Sequence, residues 1–297
     1  MCKAVKWAMK KYKARSYLMM KDIFPQNGVD IGLYSKKSPI YLYFRHQEKN
    51  LYKISSKIGC MSQGNIDYLL KENSYLDKNK FEIFRNSVIV NNENRISKDI
   101  RNKIRKKYNL KEDDIVAIFG GNFGKPQGLD FLLEVIKEYN SNTKVKFLLI
   151  GRGTEKERIF NIIKKNKYKN VFTYDFMPRS DYEELTRACD IGLIFLDKRF
   201  TIPNYPSKTL SYFECFLPIM ASIDKNTDYS KLLEEEQCGF WVENGDIKSF
   251  KQKFDKLIKD EKLRKTMGEN GHNYLKNSCN VIDSVKIIER YVGEKNV

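Results

Sequence analysis

From about residue 98 onward, short apolar runs alternate with longer amphipathic segments, and this alternation restricts the possible folds more than any other feature of the sequence. The runs are rich in Val, Ile, Leu and Phe, which is typical of strands buried on both faces. The segments between them, such as GLDFLLEVIKEYN, carry apolar residues at helical spacing. The pattern predicts a parallel sheet with helices on both sides, and hence one complete doubly wound α/β domain. The predicted strands cover residues 115–120, 145–151, 170–175, 190–196, 217–222 and 239–243.

The first 97 residues predict only part of a second α/β domain. Strands are expected in ARSYLMMKD, in KIGCMS and in KFEIF with SVIV, and helices are expected at 38–56 and 63–73. Three strands are few, because sheets usually have about four to six. The Lys- and Asn-rich segment 91–112 is interpreted as the link between domains or, almost equally well, as an exposed helix within one of them.

Three parts of the chain are therefore expected. The complete domain ends in a helical stretch at 246–275, with Gly268 as the expected break. The predicted parts are a partial N-terminal domain (1–95), a complete C-terminal domain (96–280) and a C-terminal helix that returns toward the first domain (281–297).

Composition restricts the class of protein. Hydrophobic residues make up 41% of the 297 residues, which supports packed cores, and no apolar run approaches the roughly 20 residues that span a bilayer. Six cysteines without a CxxC pair, together with only two histidines, argue against a zinc site or a disulfide framework and suit a reducing cytoplasm. The basic N-terminus lacks the apolar segment of a signal peptide.

The net charge of +17 is compatible with nucleic acid, an anionic membrane surface or a phosphate-bearing substrate as partner. A plain lysine-rich composition with solvated side chains explains the charge equally well. Because the lysines are spread along the whole chain, a dedicated nucleic-acid arm is not expected.

Ligands of doubly wound sheets bind at the carboxyl ends of the strands, so the residues that follow each strand are the candidate site residues. GGNFGKPQG follows the first strand of the complete domain. Its leading glycines, Gly120 and Gly121, allow backbone N–H groups to approach an anionic ligand, and Asn122, Lys125 and Gln127 add donors. The glycine spacing does not fit GxGxxG, and a plain tight turn is the alternative.

The next two strand ends contribute Arg152 in GRGTEKE, and Phe176 with Met177 in YDFMP. Arg152 is interpreted either as an anion-binding residue at the mouth of the sheet or as a surface arginine paired with Glu155 or Glu157. Phe176 and Met177 offer an apolar wall for a flat base, with an ordinary buried turn as the alternative.

The stretch TIPNYPSKTLSYFEC places polar groups at the start of a helix. Ser207 suits an N-cap position, Lys208 adds a charge that could meet a phosphate, and Ser211 lies on the same helix face as Ser207. Glu214 follows within one turn. This combination suits a diphosphate attached to a polyhydroxylated group, and a capped helix with incidental polar residues is the alternative.

The order of these motifs resembles the C-terminal half of the family 4 glycosyltransferases, over about residues 82–292. The resemblance implies the GT-B fold, in which two Rossmann-like domains face each other across a cleft, here with a complete C-terminal and a partial N-terminal domain. The sequence is most similar to bacterial enzymes of capsule, O-antigen and exopolysaccharide assembly. The matching motifs are GGNFGKPQGLDFLL, FLLIGRGTEKERI, VFTYDFMPRSDYEELTRACDIGLIFL and FTIPNYPSKTLSYFECFLPIMAS.

The resemblance also implies roles for individual residues. Gly120 and Gly121 correspond to the loop near the donor phosphates, and Ser207 and Lys208 to the corner that faces them. Arg152 and the Phe176–Met177 pair match the regions that edge the nucleotide base. Asn122 stands where many members have an Arg, and Gln127 where they have a Lys that Lys125 could replace.

The glutamate pair of the family is missing from its usual register. Its two positions fall on Pro203 and Ser211, and Glu214 lies one turn away. On the acceptor side, YLMMKDIFP resembles an acidic loop in which Asp22 would orient an acceptor hydroxyl or, alternatively, cap the following turn. Family members have on the order of 100 further residues before this strand, so the chain looks N-terminally shortened.

The resemblance implies a retaining, hexosyl-type glycosyltransferase of capsular polysaccharide or lipopolysaccharide biosynthesis. Its donor would be a nucleotide-sugar, UDP-linked, and its acceptor a glycan or a lipid-diphosphate. No metal or other cofactor and no nucleic acid are expected. The expected location is the cytoplasm, peripherally at the inner face of the membrane. The alternative is an incomplete chain that binds nucleotide-sugar without transfer, or one subunit of a split enzyme.

Overall fold

A computed structural model describes residues 2–90 and 95–293. The N-terminal part is built around a parallel three-stranded sheet of order β1-β2-β3. The elements of this part are α1 (Cys2–Tyr12), β1 (Tyr17–Met20), α2 (Gln26–Asp30), α3 (Pro39–Ile54), β2 (Lys57–Cys60), α4 (Gln63–Glu72) and β3 (Phe81–Ile83).

The C-terminal part contains a parallel six-stranded sheet, and every predicted strand is present within a few residues of its expected bounds. Its elements are α5 (Lys98–Lys107), β4 (Ile115–Asn122), α6 (Leu129–Glu138), β5 (Val145–Arg152), α7 (Lys156–Lys165), β6 (Val171–Tyr174), α8 (Arg179–Arg187), β7 (Ile191–Phe195), α9 (Lys208–Glu214), β8 (Ile219–Ile223), α10 (Tyr229–Glu235), β9 (Gly239–Glu243), α11 (Ile247–Lys259), α12 (Glu261–Ser278) and α13 (Val281–Gly293).

The strand order of the large sheet, β6-β5-β4-β7-β8-β9, reverses direction between β4 and β7. Both faces of the sheet are covered: along β4, Val116 and Ile118 join one hydrophobic cluster, whereas Ala117 and Phe119 join the other. The predicted doubly wound α/β architecture is therefore confirmed. Such a reversal leaves a crevice at the carboxyl ends of the two strands, where ligands of this fold class bind.

The segment interpreted as an interdomain link is in large part helix α5, which packs against α8 of the C-terminal domain. Residues 91–94 of that segment lie outside the described residues. Arg105 of α5 is fully buried and donates to the carboxylate of Asp190 at 2.6 Å. The helix is thus anchored in the C-terminal domain by a buried side, while most of its other residues are exposed, which agrees with the alternative of a helix within one domain.

Helix α13 lies against the N-terminal sheet. Ser284 donates to Ser87 at 2.8 Å, Arg290 pairs with Glu82, and the ring of Tyr291 packs edge-on against Tyr17. The last residues of the predicted C-terminal helix, 294–297, lie outside the described residues.

The expected helix break at Gly268 is wrong. The helical stretch is interrupted at Asp260, between α11 and α12. The Asp260 carboxylate accepts a hydrogen bond from the backbone N–H of Leu263 at 2.8 Å and so caps α12. Gly268 lies inside α12, where a Cβ atom would stand 2.0 Å from the carbonyl oxygen of Phe216. The glycine is needed because α12 packs closely on the turn after α9.

We expect Gly268→Ala to destabilise the protein, although alanine is the better helix former. Alanine gains about 1 kcal/mol in helix propensity, but the clash with a backbone atom costs about 1–3 kcal/mol and forces α12 to shift. Thermal unfolding followed by circular dichroism measures the difference. Gly293→Ala is the control, because a methyl group there meets no atom within 4 Å. Equal melting temperatures of the two variants would contradict this account.

Candidate functional site

A cleft of about 890 Å³ opens at the carboxyl ends of the strands, between the two domains. On the C-terminal side it begins at the ends of β4 and β5, next to the point between β4 and β7 where the strand order reverses. On the N-terminal side it is lined by Lys21, Asp22, Asn27, Met61 and Asn86.

Most of the residues singled out from the sequence line this cleft. The chain brings together Asp22, Gly120, Gly121, Asn122, Arg152, Phe176, Met177, Ser207, Lys208 and Ser211. They come from loops more than 180 residues apart in sequence, and they meet because parallel strands end at one edge of a sheet. Their roles in binding and catalysis stay predictions.

Lys125 and Glu214 do not line the cleft. Lys125 is exposed on a short 3-10 turn beside it. Glu214 lies one turn beyond Ser211, next to charged residues of α8, and burial together with the nearby carboxylate of Glu183 raises its pKa. A helical turn carries the Glu214 side chain away from the mouth, which spacing along the sequence did not reveal.

The glycine pair shapes the floor of the cleft. Gly120 and Gly121 are the end of β4, and Gly121 has a positive φ of 118° with open space where a side chain would point. The neighbouring Gly151 of β5 lies so close that a Cβ atom would come within 1.8 Å of the Gly121 carbonyl oxygen. Gly121 is exposed, so its backbone is accessible to a ligand, whereas Gly120 is buried and its N–H donates to the Tyr212 hydroxyl at 3.2 Å.

Lys208 is the charged group at the centre of this floor. Its ammonium donates to Gln127 Oε1 at 2.9 Å and lies 4.0 Å from the centre of the Phe119 ring. Part of the side chain is accessible from the cleft, but the surrounding protein atoms desolvate the ammonium and lower its pKa to about 7. No carboxylate of the described residues offsets this cost. A partly desolvated cation without an anionic partner favours an anion supplied by a ligand.

Arg152 and Phe176 form one wall of the cleft, with the guanidinium 4.2 Å from the ring centre. The surface pairing considered for Arg152 is wrong: Glu155 pairs with Arg158, and Glu157 with Lys156. Phe176 is 64% exposed although the guanidinium lies over its ring, so much of its surface is available to a flat group. Stacking of guanidinium and phenyl groups holds both planar surfaces in place.

Ser207 occupies the N-cap position of α9, but its side chain makes no capping hydrogen bond. Its hydroxyl is exposed at the cleft, as is part of Ser211 one turn later. At the other position of the missing glutamate pair, the Pro203 carbonyl accepts a hydrogen bond from Asn65 Nδ2 at 2.8 Å. The hydroxyls of Ser207 and Ser211 therefore line the cleft together with the Lys208 ammonium.

Several cleft residues were missed in the sequence. Lys21 and Met61 directly follow β1 and β2, and Asn86 lies shortly after β3. The strand-end rule that located the C-terminal half of the site applies equally to the first three strands, and would have found them.

Three contacts tie the two domains together across the cleft. Asp30 accepts hydrogen bonds from the backbone N–H and hydroxyl of Thr201, at 2.8 and 2.9 Å. Asp228 accepts from Ser62 Oγ and Gly64 N at the start of α4, at 2.8 and 2.7 Å. The bonds of Asp30 to Thr201 and of Asn65 to the Pro203 carbonyl hold segment 201–206, which leads directly into Ser207 and Lys208.

Comparisons with known proteins agree with this geometry. Residues 100–274 match the family described as glycosyl transferases group 1. An uncharacterized glycosyltransferase of Methanocaldococcus jannaschii is 25% identical over 261 residues, which are 85% of this chain and 68% of that protein. The capsular polysaccharide biosynthesis glycosyltransferase CapM of Staphylococcus aureus is 28% identical over 59% of this chain and 45% of its own length. The chain thus spans between about half and two thirds of these relatives.

Solved structures share the fold. Anabaena HepE, in a crystal structure with UDP and glucose, superposes with a TM-score of 0.78 at 16% identity, over 99% of this chain and 76% of HepE. WaaG, a glycosyltransferase involved in lipopolysaccharide biosynthesis, superposes with a TM-score of 0.73 at 16% identity, over 98% of this chain and 81% of WaaG. The chain has the GT-B fold and belongs to the group 1 family of glycosyltransferases.

Proposed function

We propose that this chain is a retaining glycosyltransferase that moves a hexosyl group from a UDP-linked sugar to a glycan or lipid-linked acceptor during synthesis of a bacterial surface polysaccharide. The observation that carries the proposal is the partly desolvated Lys208 ammonium, which faces the cleft without a carboxylate partner. The relatives named for capsule and O-antigen synthesis support the pathway class, and the UDP-bound neighbour HepE supports the donor.

The donor would occupy the C-terminal wall of the cleft. Its diphosphate would lie against Lys208 and the exposed backbone at Gly121, and its base against Arg152 and Phe176. When the bond between the sugar carbon and the diphosphate breaks, negative charge grows on the phosphate oxygens. Lys208 is held in place by Gln127 and would stabilise that charge without rearranging.

The acceptor would approach from the N-terminal side, where Asp22 and Asn27 line the cleft. Asp22 does not cap the following helix, because α2 begins after Pro25 and has no side-chain cap. Its carboxylate is thus available to orient an acceptor hydroxyl. Within residues 2–90 and 95–293, no cluster of His, Cys, Asp or Glu is arranged to hold a metal ion. Catalysis without a metal is part of the proposal.

Calorimetric titration with UDP tests the donor site. We expect saturable binding of one UDP per chain, competed by a UDP-sugar, whereas uridine without phosphates should bind much more weakly because it cannot meet Lys208. Equal affinities for UDP and uridine would overturn the assignment of Lys208 to the diphosphate. Release of UDP from UDP-sugars in the presence of acceptor extracts then tests transfer itself.

The affinity for UDP should fall as the pH rises above neutrality. The pKa of Lys208 in the free protein is about 7, and the diphosphate binds the protonated form, so binding above this pH requires uptake of a proton. Between about pH 7 and about pH 9 we expect the affinity to drop about tenfold or more, toward the level of a variant without the lysine. Titrations in buffers of different ionisation enthalpy report the proton uptake. An affinity independent of pH in this range would contradict the mechanism.

A second candidate is a chain that binds nucleotide-sugar but does not transfer it alone, including one subunit of a split enzyme. The position of β1 favours it: β1 is the edge of a sheet of three strands, and Met19 in it is 48% exposed. Exposed strand edges readily pair with further strands. UDP binding without transfer or hydrolysis by the purified chain, restored by a second polypeptide, would favour this candidate.

A further inference from the structure

An exposed group of apolar side chains lies beside the acceptor side of the cleft. Four of them lie in the first turns of α3 and are largely exposed to solvent. The fifth is a phenylalanine from the segment between β1 and α2. The Phe44 ring packs edge-on against Phe24 at 5.0 Å and against Tyr43 at 5.3 Å between ring centres. We name this group the aromatic patch: Phe24, Ile40, Leu42, Tyr43 and Phe44, with exposures between 39% and 61%.

The patch is not what holds α3 in place. The inner side of the helix is fixed by Tyr52, which is buried and donates to Glu48 at 2.6 Å, and by Arg45, which bonds Glu48 and Asn73. Apolar groups that are exposed together and are not needed for packing mark an interaction surface.

Positive charge surrounds the patch. Residues 31–47 contain no Asp or Glu, and Lys36 and Lys37 are exposed just before the helix. Helix α1, which packs against α3, lies in a stretch of residues 2–21 that has seven basic residues and no acidic one. Aromatic and aliphatic side chains bordered by lysines are typical of surfaces that insert into anionic lipid headgroups.

The patch is connected to the cleft through the segment between β1 and α2. Asp22 and Asn27 line the cleft, and Phe24 stands between them in the chain with its ring on Phe44. A bilayer in contact with the patch would therefore lie within a few residues of the proposed acceptor side.

We propose that the aromatic patch docks on an anionic lipid bilayer and presents the cleft to an acceptor carried by a lipid. The part of this proposal that concerns the acceptor rests on the proposed function, but binding of the chain to a bilayer can be measured separately. A second copy of this chain is the less favoured occupant, because two such surfaces would bring the same lysines together in a protein of net charge +17. No helix in the described part of the chain has the length and apolarity to cross a bilayer.

Sedimentation with lipid vesicles tests the docking. The full chain should bind vesicles of phosphatidylglycerol and phosphatidylcholine, and bind pure phosphatidylcholine much more weakly. The double variant Tyr43→Ser with Phe44→Ser should lose at least about tenfold in its partition onto anionic vesicles. Lys36→Glu with Lys37→Glu should lose the preference for anionic lipid. The matched control is Ile282→Ser with Val285→Ser, which removes two exposed apolar groups from α13 and should bind as the original chain does.

The outcomes separate the docking from the donor site. The proposal is overturned if the Tyr43/Phe44 variant still binds vesicles, or if it loses no more binding than the control does. A dimer in analytical ultracentrifugation that the same variant dissociates also overturns it, since the patch would then be a contact between copies. UDP titration of each variant in solution is the independent readout. Normal UDP affinity together with lost vesicle binding supports docking. Absence of UDP binding in all of the proteins would count against the proposed function alone.

Discussion

Replacing Lys208 with Met is expected to weaken UDP binding by about 10- to 150-fold, the largest effect that a single substitution should have on this site. A charge-assisted hydrogen bond is worth about 1.5–3 kcal/mol, and each 1.4 kcal/mol is a factor of about ten in affinity. Methionine keeps most of the length of the side chain but removes the ammonium, and with it the charge and the contact with Phe119. Calorimetric titration with UDP measures the loss.

The same variant should fold at least as well as the original chain. Its lysine is desolvated and has no carboxylate partner, so an apolar replacement of similar shape removes a cost. An unchanged or higher melting temperature together with lost UDP binding would identify Lys208 as a binding residue and not as a structural one.

Lys125→Met is the matched control for this experiment. Lys125 belongs to the neighbouring turn, and the sequence alone suggests it equally as a phosphate ligand, but it is exposed and does not line the cleft. We expect the UDP affinity of the Lys125→Met variant to change less than about threefold, because the charge that it loses is on the surface and screened by solvent. If Lys125→Met lost as much affinity as Lys208→Met, the placement of the diphosphate against Lys208 would be wrong.

Replacing Arg105 with Ala should have the largest effect on stability, a loss of about 3–5 kcal/mol, because it removes the fully buried partner of the Asp190 carboxylate and leaves only the partly exposed Arg101 to pair with it. The Arg105 side chain is 1% exposed and that of Asp190 is 9% exposed. Arg105 also donates to the carbonyl oxygens of Ala188, Lys111, Glu112 and Asp114, which would be left without this partner. Urea unfolding followed by circular dichroism measures the change.

Arg158→Ala is the control for this variant, since Arg158 pairs with two carboxylates but on the surface. Exposed ion pairs contribute about 0–1 kcal/mol. A loss for Arg105→Ala no greater than that for Arg158→Ala would show that the Arg105–Asp190 pair does not anchor α5.

The elements of the C-terminal domain could be predicted because each depends on a local pattern. The β9 bounds of Gly239–Glu243 agree with the predicted 239–243, where a short apolar run lies between polar segments. The general position of the site was also predictable, since parallel strands place their carboxyl ends at one edge whatever the details of packing. For the same reason, Lys208 and the Gly120–Gly121 pair were expected to meet, and both line the cleft.

The sequence by itself therefore determined which segments form strands and helices and which edge of the sheet carries the site. Only the tertiary structure decided which of several chemically equal residues are used: Lys208 but not Lys125 at the cleft, Arg101 and Arg105 but not the lysines of α5 at Asp190, and Gly268 in close packing instead of at a helix end. Hydrophobic periodicity is a property of neighbours along the chain. Burial of a particular charge or glycine depends on distances between elements that are far apart in sequence, and those distances follow only from how the helices pack on the sheet.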